Sequence, residues 1–566
     1  MTGKATGFVR MESRPPTSRS SFRGPRSGNP ESRMLPPSLD SRLRGNDEGV
    51  SSRPVALSVV LSLWGRHPII SAMIRRLRPL LLLTPLLASL VTLAACTTNP
   101  ATGQQSFTAF MSADDERRVG AEEHPKMIKE FGGAYGDAKL RAYVHRVGNK
   151  LAQVSETPDV KFTFTVLNND KVNAFALPGG YVYITRGLIA LAGNEAEMAG
   201  VLAHEIGHVT ARHSAQRYST AMATNLGLMV LDVIGSQAGL PSSVGQLVGF
   251  GAQAALMGYS RDQELEADML GVRYLARAGY DPAAMTSFFL KMEAHAQLEQ
   301  AMLGKPEGPT NNIMSTHPRT GERIQQAVQL ARLPAGVRAV LGRDEFLAEI
   351  DGMVFGDDPD QGVRRGNEFI HPGLGFRFQV PPSFTLFNAP QRVVARGPKQ
   401  SLIIFDMADQ KTARQAGRML PYLTGTWGAR LNLRGAEALD INGMEAATAE
   451  ARLATRDGPK DVRLIAARAA PERILRFAFI TPPEMTRALN EEFRRATYSL
   501  RRLDAAEAKA VRPLRIKLKT VRPGDTADGL AAAIPSAQFR RRWFEVLNGL
   551  APGQPPTVGQ VVKSVE

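Results

Sequence analysis

The chain has 566 residues, 43% hydrophobic and 22% charged, a globular composition with room for several domains that excludes a fibrous or wholly disordered protein. Its formal charge is +16, but residues 1–95 hold 14 basic and 5 acidic side chains, so +9 belongs to that segment and about +7 to everything after it. A surplus that small serves solubility; with no recognition motif for DNA or RNA, the sequence reads as having no nucleic-acid partner. A single cysteine excludes an internal disulfide framework.

Residues 1–72 are rich in Arg, Ser, Pro and Gly, have no helical or strand period, and are expected to be a disordered, non-native extension upstream of Met73. "MIRRLRPLLLLTPLLASLVTLAAC" (73–96) opens on Arg75, Arg76 and Arg78, continues with an apolar stretch and ends on small residues. That is the shape of a secretory signal over 73–95, too short in its apolar part for a comfortable membrane span. Leu93-Ala94-Ala95-Cys96 resembles the bacterial lipobox, which implies lipidation of Cys96; the alternative is an ordinary signal peptide with a chance cysteine. Thr97 follows rather than an inner-membrane-retaining aspartate, so the expected location is the periplasmic face of the outer membrane, held by lipid. Residues 96–111 read as a polar tether.

From 112 to 350 the pattern is mostly helical, with one strand region, "VKFTFTVLNNDKVNAFALPGGYVYITRG" (160–187). Its alternation at Phe162, Phe164 and Val166, then Tyr181 and Tyr183, predicts strands, and Pro178-Gly179-Gly180 predicts the turn between them. Asn194 and Glu197 form a capping-box signature that starts a helix with apolar residues at Met198, Val201, Leu202, Ile206 and Val209. On it His204 and His208 are one turn apart, so their rings can converge on one zinc ion, with Glu205 beside them. About 0.01 chance occurrences of this spacing are expected from the chain's 9 histidines and 54 acidic residues. The alternative is an amphipathic helix whose histidines find buried partners. His213, five residues past His208, points to a different face on a continuing helix and reads as structural.

"SAQRYSTAMATNLGLMVLDVIGSQAGLPSSVGQLVGFGAQAALMGYS" (214–260) is apolar and glycine-rich, with Asn225, Asp232 and Ser236 interrupting any span; it reads as a helical hairpin flanking the cleft or as plain core. In "YSRDQELEADMLGVRYLARAGY" (259–280) Glu264 and Asp268 are again one turn apart beside apolar positions. A cation would account for a buried Glu264, and a ligand imidazole needing an acceptor for its second nitrogen would account for Asp268. The alternative is a solvated acidic face, since Asp262 and Glu266 are acidic too.

HEIGH (204–208) and ELEAD (264–268), preceded by "NAFALPGGYVYITRGL" (173–188) and followed by "STHPRTGERI" (315–324), resemble the M48 family of zinc metallopeptidases, in its periplasmic lipoprotein type, over about residues 105–335. The resemblance implies a gluzincin-like fold with one Zn²⁺ per chain, held by His204, His208 and Glu264, and Glu205 as the base that activates water there. It implies Asp268 behind a ligand histidine, and His317 either coordinating the metal in a closed state or stabilising the transition state. Asn173, Ala174 and Phe175 fall where the family has an edge strand, which can take up an extended peptide through backbone hydrogen bonds; an ordinary core strand is the alternative.

"FGDDPDQGVRRGNE" lies within a polar, Gly-rich stretch read as a linker over 351–368. Residues 369–505 alternate strand-like and helical pieces, an α+β domain of unassigned role. Residues 515–566 resemble a LysM module, on Gly524-Asp525-Thr526, Leu547-Asn548-Gly549-Leu550 and Gly559-Gln560; peptidoglycan binding and a purely structural role both stay open. The expected fold class is therefore α+β multidomain: a mainly helical peptidase domain with a small sheet over 112–350, then the α+β domain and the small module. The expected function is zinc-dependent hydrolysis of unfolded or misassembled cell-envelope proteins. Its rivals are a periplasmic chaperone or outer-membrane assembly factor with conditional protease activity and, more weakly, a cell-wall hydrolase.

Overall fold

The computed structural model describes residues 96–224, 258–302, 317, 323, 326, 329, 338–535 and 538–566. The upstream extension and signal expected over 1–95, and most of the apolar segment 214–260, lie outside the described residues. No helix among the described residues is long and apolar enough to cross a membrane.

A short hairpin, β1 (Cys96–Thr98) and β2 (Gln105–Phe107), leads into helices α1 (Ala113–Glu130) and α2 (Ala138–Ala152). The strand region folds as β3 (Thr163–Leu167), β4 (Ala174–Leu177) and β5 (Tyr181–Thr185) in the order β3-β5-β4, with β3 parallel and β4 antiparallel to β5. The tight connection from β4 to β5 needs the positive φ of Gly179 and Gly180 (79° and 93°). Helices α3 (Arg186–Leu191), α4 (Glu195–Thr210), α5 (Arg261–Arg277), α6 (Ala283–Met302) and α7 (Arg343–Ile350) follow.

Helix α4 is the centre of this body: it is apolar on nearly all sides and packs against α2, α5, α6 and β4. Met198, Leu202 and Ile206 are fully buried, each burial contributing about 1.5–3 kcal/mol. Asn194 caps the helix by accepting from the Glu197 amide, but the expected reciprocal bond is absent. The Glu197 carboxylate instead accepts from the Gly193 amide, the Ser287 hydroxyl and the Lys291 ammonium, tying α4 to α6.

Residues 351–368, expected as a linker, are built into the fold. Strand β6 (Val354–Phe355) pairs with β18 (Leu514–Thr520), and β7 (Val363–Arg365) enters a second sheet. The buried Arg186 donates to the carbonyls of Val354 and Gly356. In the α+β domain, strands β8 (Glu368–His371), β9 (Phe376–Gln379) and β17 (Arg501–Arg502) join β7 in the order β17-β9-β8-β7. Strands β10 (Thr385–Ala389), β11 (Arg392–Arg396), β12 (Leu402–Met407), β13 (Arg434–Ile441), β14 (Met444–Thr455), β15 (Gly458–Ala470) and β16 (Arg473–Thr481) form a seven-stranded antiparallel sheet in the order β10-β11-β12-β16-β15-β14-β13. Phe369, Phe378, Phe405, Phe477 and Phe493 fill the space between the two sheets and helix α8 (Pro483–Ser499).

The C-terminal piece runs β18, α9 (Ala527–Leu530), α10 (Arg540–Asn548) and β19 (Val561–Val565), with β18 and β19 antiparallel. It shares one hydrophobic core with the helical body around α4: Ile516, Phe544 and Val562 pack in the same cluster as Phe288, Phe346 and Phe355.

Candidate metal centre

The site forms where α4 crosses α5. Gly207 and Gly271 make the crossing close: a Cβ at Gly207 would lie 3.1 Å from the Ala267 carbonyl oxygen, and one at Gly271 3.2 Å from the His204 amide nitrogen. Helix α5 starts on a true capping box, Ser260 with Gln263, which sets the phase that turns Glu264, Ala267 and Asp268 inward.

His204, His208, Glu264 and His317 are all buried, and one ligand atom from each lies within 4.8 Å of the others. Nε2 of His208 is 3.0 Å from Nε2 of His204 and 3.4 Å from Oε1 of Glu264. Nδ1 of His317 is 3.2 Å from Nε2 of His204 and 2.9 Å from Oε1 of Glu264. Four donors held tetrahedrally about 2.0–2.1 Å from one ion stand roughly 3.3 Å apart, so both the spacing and the His₃Glu chemistry fit zinc. Burial holds His208 well below the usual histidine range, in the neutral form a metal requires. Burial works against the charged form of Glu264, but the imidazoles of His317 and His208 outweigh it and keep it a carboxylate.

Glu205 has no solvent exposure, and neither of its oxygens has a hydrogen-bond partner among the described residues. An orphaned buried carboxylate is costly unless something else occupies the site. Burial raises its proton affinity, opposed by His317, whose Nε2 is 3.5 Å from Oε1, and by His204. His317 loses charge stability to burial, yet the carboxylates of Glu264 and Glu205 more than restore it.

Each helical histidine is held from behind. Asp268 Oδ1 lies 2.9 Å from Nδ1 of His204. Nδ1 of His208 is 2.8 Å from Nδ1 of His213, and Nε2 of His213 is 3.1 Å from Oε2 of Glu266. Tyr259 stacks on the His208 ring, centroids 3.7 Å apart at 14°, with the Arg217 guanidinium carbon 3.8 Å from the centroid of the Tyr259 ring. The expectation that His213 points elsewhere assumed a continuing helix. Helix α4 ends at Thr210, and Arg212 takes a left-handed φ of 57°, which swings His213 back onto His208.

Sequence reasoning missed Arg323. It grips Asp268 and also contacts Glu264, so it neutralises the two carboxylates that α5 buries. Its signal was available: two inward carboxylates need countercharge, and Arg323 lies six residues after His317 in the same quoted block.

The structure brings His204, Glu205, His208, Glu264, Asp268 and His317 together. Asn173 precedes, and Ala174 and Phe175 open, β4, the edge strand packed against α4. The Asn173 carbonyl accepts from the Thr185 amide, so Ala174 and Ala176 turn their backbone groups away from β5, toward the side of β4 that pairs with no described strand; both residues are buried. Asn173 Oδ1 is buried without a hydrogen-bond partner among the described residues. Cys96 opens β1.

Against known proteins, the chain is 34% identical over 229 residues to the beta-barrel assembly-enhancing protease of Yersinia pestis, covering 39% of this chain and 45% of that protein. It is 29% identical over 253 residues to the protein of the same name from Escherichia coli K12, covering 43% and 49%. With the mitochondrial metalloendopeptidase OMA1 of Schizosaccharomyces pombe it shares 31% over 224 residues, 38% of this chain and 61% of that protein. The chain thus spans about half the length of the first two of these relatives. Residues 138–331, which contain every residue of the tetrad together with Glu205, Asp268 and Arg323, match the sequence profile of Peptidase family M48.

Proposed function

We propose that the chain is a zinc-dependent metalloendopeptidase that hydrolyses unfolded or misassembled cell-envelope proteins. The observation that carries this reading is the buried His204–His208–Glu264–His317 tetrad beside a fully buried Glu205 whose oxygens accept no hydrogen bond among the described residues. Zinc held by His204, His208 and Glu264 would polarise a scissile carbonyl and acidify water toward a pKa of about 7. Glu205, whose proton affinity burial raises, takes the proton from the attacking water and passes it to the leaving amine nitrogen. Asp268 orients His204 through Nδ1. The outer backbone edge of β4, at Ala174 and Ala176, pairs with no described strand, which supports binding of an extended substrate there with little side-chain selectivity, Asn173 and Phe175 flanking it.

His317 favours a second, compatible reading. Its Nδ1 lies with the other three donors, which supports reading the arrangement as closed, with His317 withdrawing before it stabilises an oxyanion. This supports a chaperone or assembly role with conditional cleavage. The similarity to beta-barrel assembly-enhancing proteases, and the resemblance of residues 93–96 to a lipobox, support a lipid-anchored place on the periplasmic face of the outer membrane. The β-α-α-β order of 515–566 suits a LysM-like module, but its shared core with the peptidase body favours a structural role over peptidoglycan binding.

Glu205→Gln tests the mechanism. Zinc content should match wild type while casein hydrolysis falls by at least a thousandfold; unimpaired hydrolysis would remove Glu205 from the chemistry.

A further inference from the structure

The hairpin that follows Cys96 reaches the back of the metal centre. If His208 binds through Nε2, its Nδ1 carries the proton and donates to Nδ1 of His213, 2.8 Å away. His213 is then protonated on Nε2 and donates to the Glu266 carboxylate, 3.1 Å away. Every proton in the series is accounted for, and it ends on Glu266, which is held by the segment between β1 and β2. Asn99 Nδ2 donates to Glu266 Oε1 at 2.7 Å and Thr102 Oγ1 donates to the same oxygen at 3.0 Å.

Asn99 has no freedom to do otherwise. It is 2% exposed, its Oδ1 accepts from the Ala101 amide, and its backbone closes the turn with Gln104 and Gly103. The same segment also grips the chain next to His213. Arg212, whose left-handed backbone returns His213 to the site, donates to Thr97 Oγ1 and to the Met111 carbonyl. His213 is thus fixed from two sides, by its neighbour in sequence and by its carboxylate partner; both fixings involve residues 97–111, the one through Arg212 together with Glu116 of α1. A free tether would make neither.

We propose that His213 and Glu266 are positioning residues for His208, and that seating of residues 97–102 on the body sets how tightly the metal is held. The inference rests on the metal-centre reading above. It makes the stretch next to Cys96 a latch: pulling it off the body releases Glu266, frees the His213 ring and loosens one zinc ligand.

The test is zinc affinity of the full chain, measured by chelator competition, with thermal melts of the metal-free proteins as a folding control. His213→Phe keeps ring volume and removes both bonds; zinc should bind 10–100-fold more weakly. His213→Gln, which can accept from one side and donate to the other, should recover part of that loss. Asn99→Leu with Thr102→Val, remote from the ligands, should weaken zinc severalfold and add nothing further in the His213→Phe background. Wild-type affinity in the Asn99→Leu/Thr102→Val protein, or a full additional loss on top of His213→Phe, would overturn the latch. Should His213→Phe fail to fold, the Asn99→Leu/Thr102→Val pair alone decides. A wild-type chain that takes up no zinc would overturn the metal-centre reading itself; wild-type uptake with unchanged variants overturns this inference only.

Discussion

Arg323 holds Asp268 with two nitrogens, Nε 2.6 Å from Oδ2 and Nη2 2.7 Å from Oδ1, and turns its third toward Glu264. All three side chains are buried, so the guanidinium is a main countercharge for two carboxylates on one helix face. Burial works against Asp268 as an anion, and Arg323 together with His204 reverses that and keeps its pKa low. Removing one partner of such a group strands the others. Arg323→Gln should lower the stability of the metal-free protein by about 3–5 kcal/mol, read from urea or thermal unfolding. A melt matching wild type would show that the pair carries no stability.

The α4–α5 crossing gives a second prediction. Gly207→Ala inserts a methyl 3.1 Å from the Ala267 carbonyl and 3.2 Å from the Leu270 Cβ, so the helices must part by a few tenths of an ångström. The expected cost is about 1–3 kcal/mol. Because His204, His208 and Glu264 ride on those two helices, zinc affinity should fall in the same variant. Unchanged affinity with reduced stability would show that the ligands adjust independently of the crossing.

How much of this was legible in the sequence depends on range. The four-residue spacings of His204 with His208 and Glu264 with Asp268 are local, and a helix turns them into shared faces whatever else the chain does. The strands and the Gly179-Gly180 turn are equally local. Arg323 and Glu266 acquire meaning only when distant elements meet, and His213 was misread because one left-handed residue, Arg212, breaks the helical phase. The stretch 351–368 looks like a linker by composition; its burial comes from Arg186 and from pairing with β18, more than 150 residues away.

Lys563 supplies a third prediction. It is 2% exposed, and burial pushes its pKa well below the ordinary lysine value. Its Nζ lies 2.6 Å from the Ala190 carbonyl, 2.7 Å from that of Ala192 and 3.3 Å from that of Leu191, at the end of α3 whose carbonyls lack helical partners. Lys563→Met leaves those carbonyls dry and unpaired. It should cost about 2–4 kcal/mol and make residues 515–566 exchange backbone amide hydrogens faster. Unaltered exchange there would mean that apolar packing alone holds the module.

A fourth concerns pH. His295 on α6 is buried against Trp543 of α10, ring centroids 5.2 Å apart, and burial lowers its pKa to about 4. Between the unfolded value of about 6.5 and that folded value the unfolded chain binds the extra proton, so stability falls as pH drops through this window. The loss should approach about 3 kcal/mol by pH 4 from this group, and His295→Phe should flatten the profile there. An equally steep profile in His295→Phe would assign the acid sensitivity elsewhere.

The central claim is that two imidazoles of α4 and one carboxylate of α5 bind a single zinc ion. Zinc titration of the metal-free chain, wild type against Glu264→Gln, tests it most directly. Wild type should take up one tight equivalent, and Glu264→Gln should bind at least a hundredfold more weakly with the fold retained. Equal, tight, one-to-one binding by both proteins would contradict it.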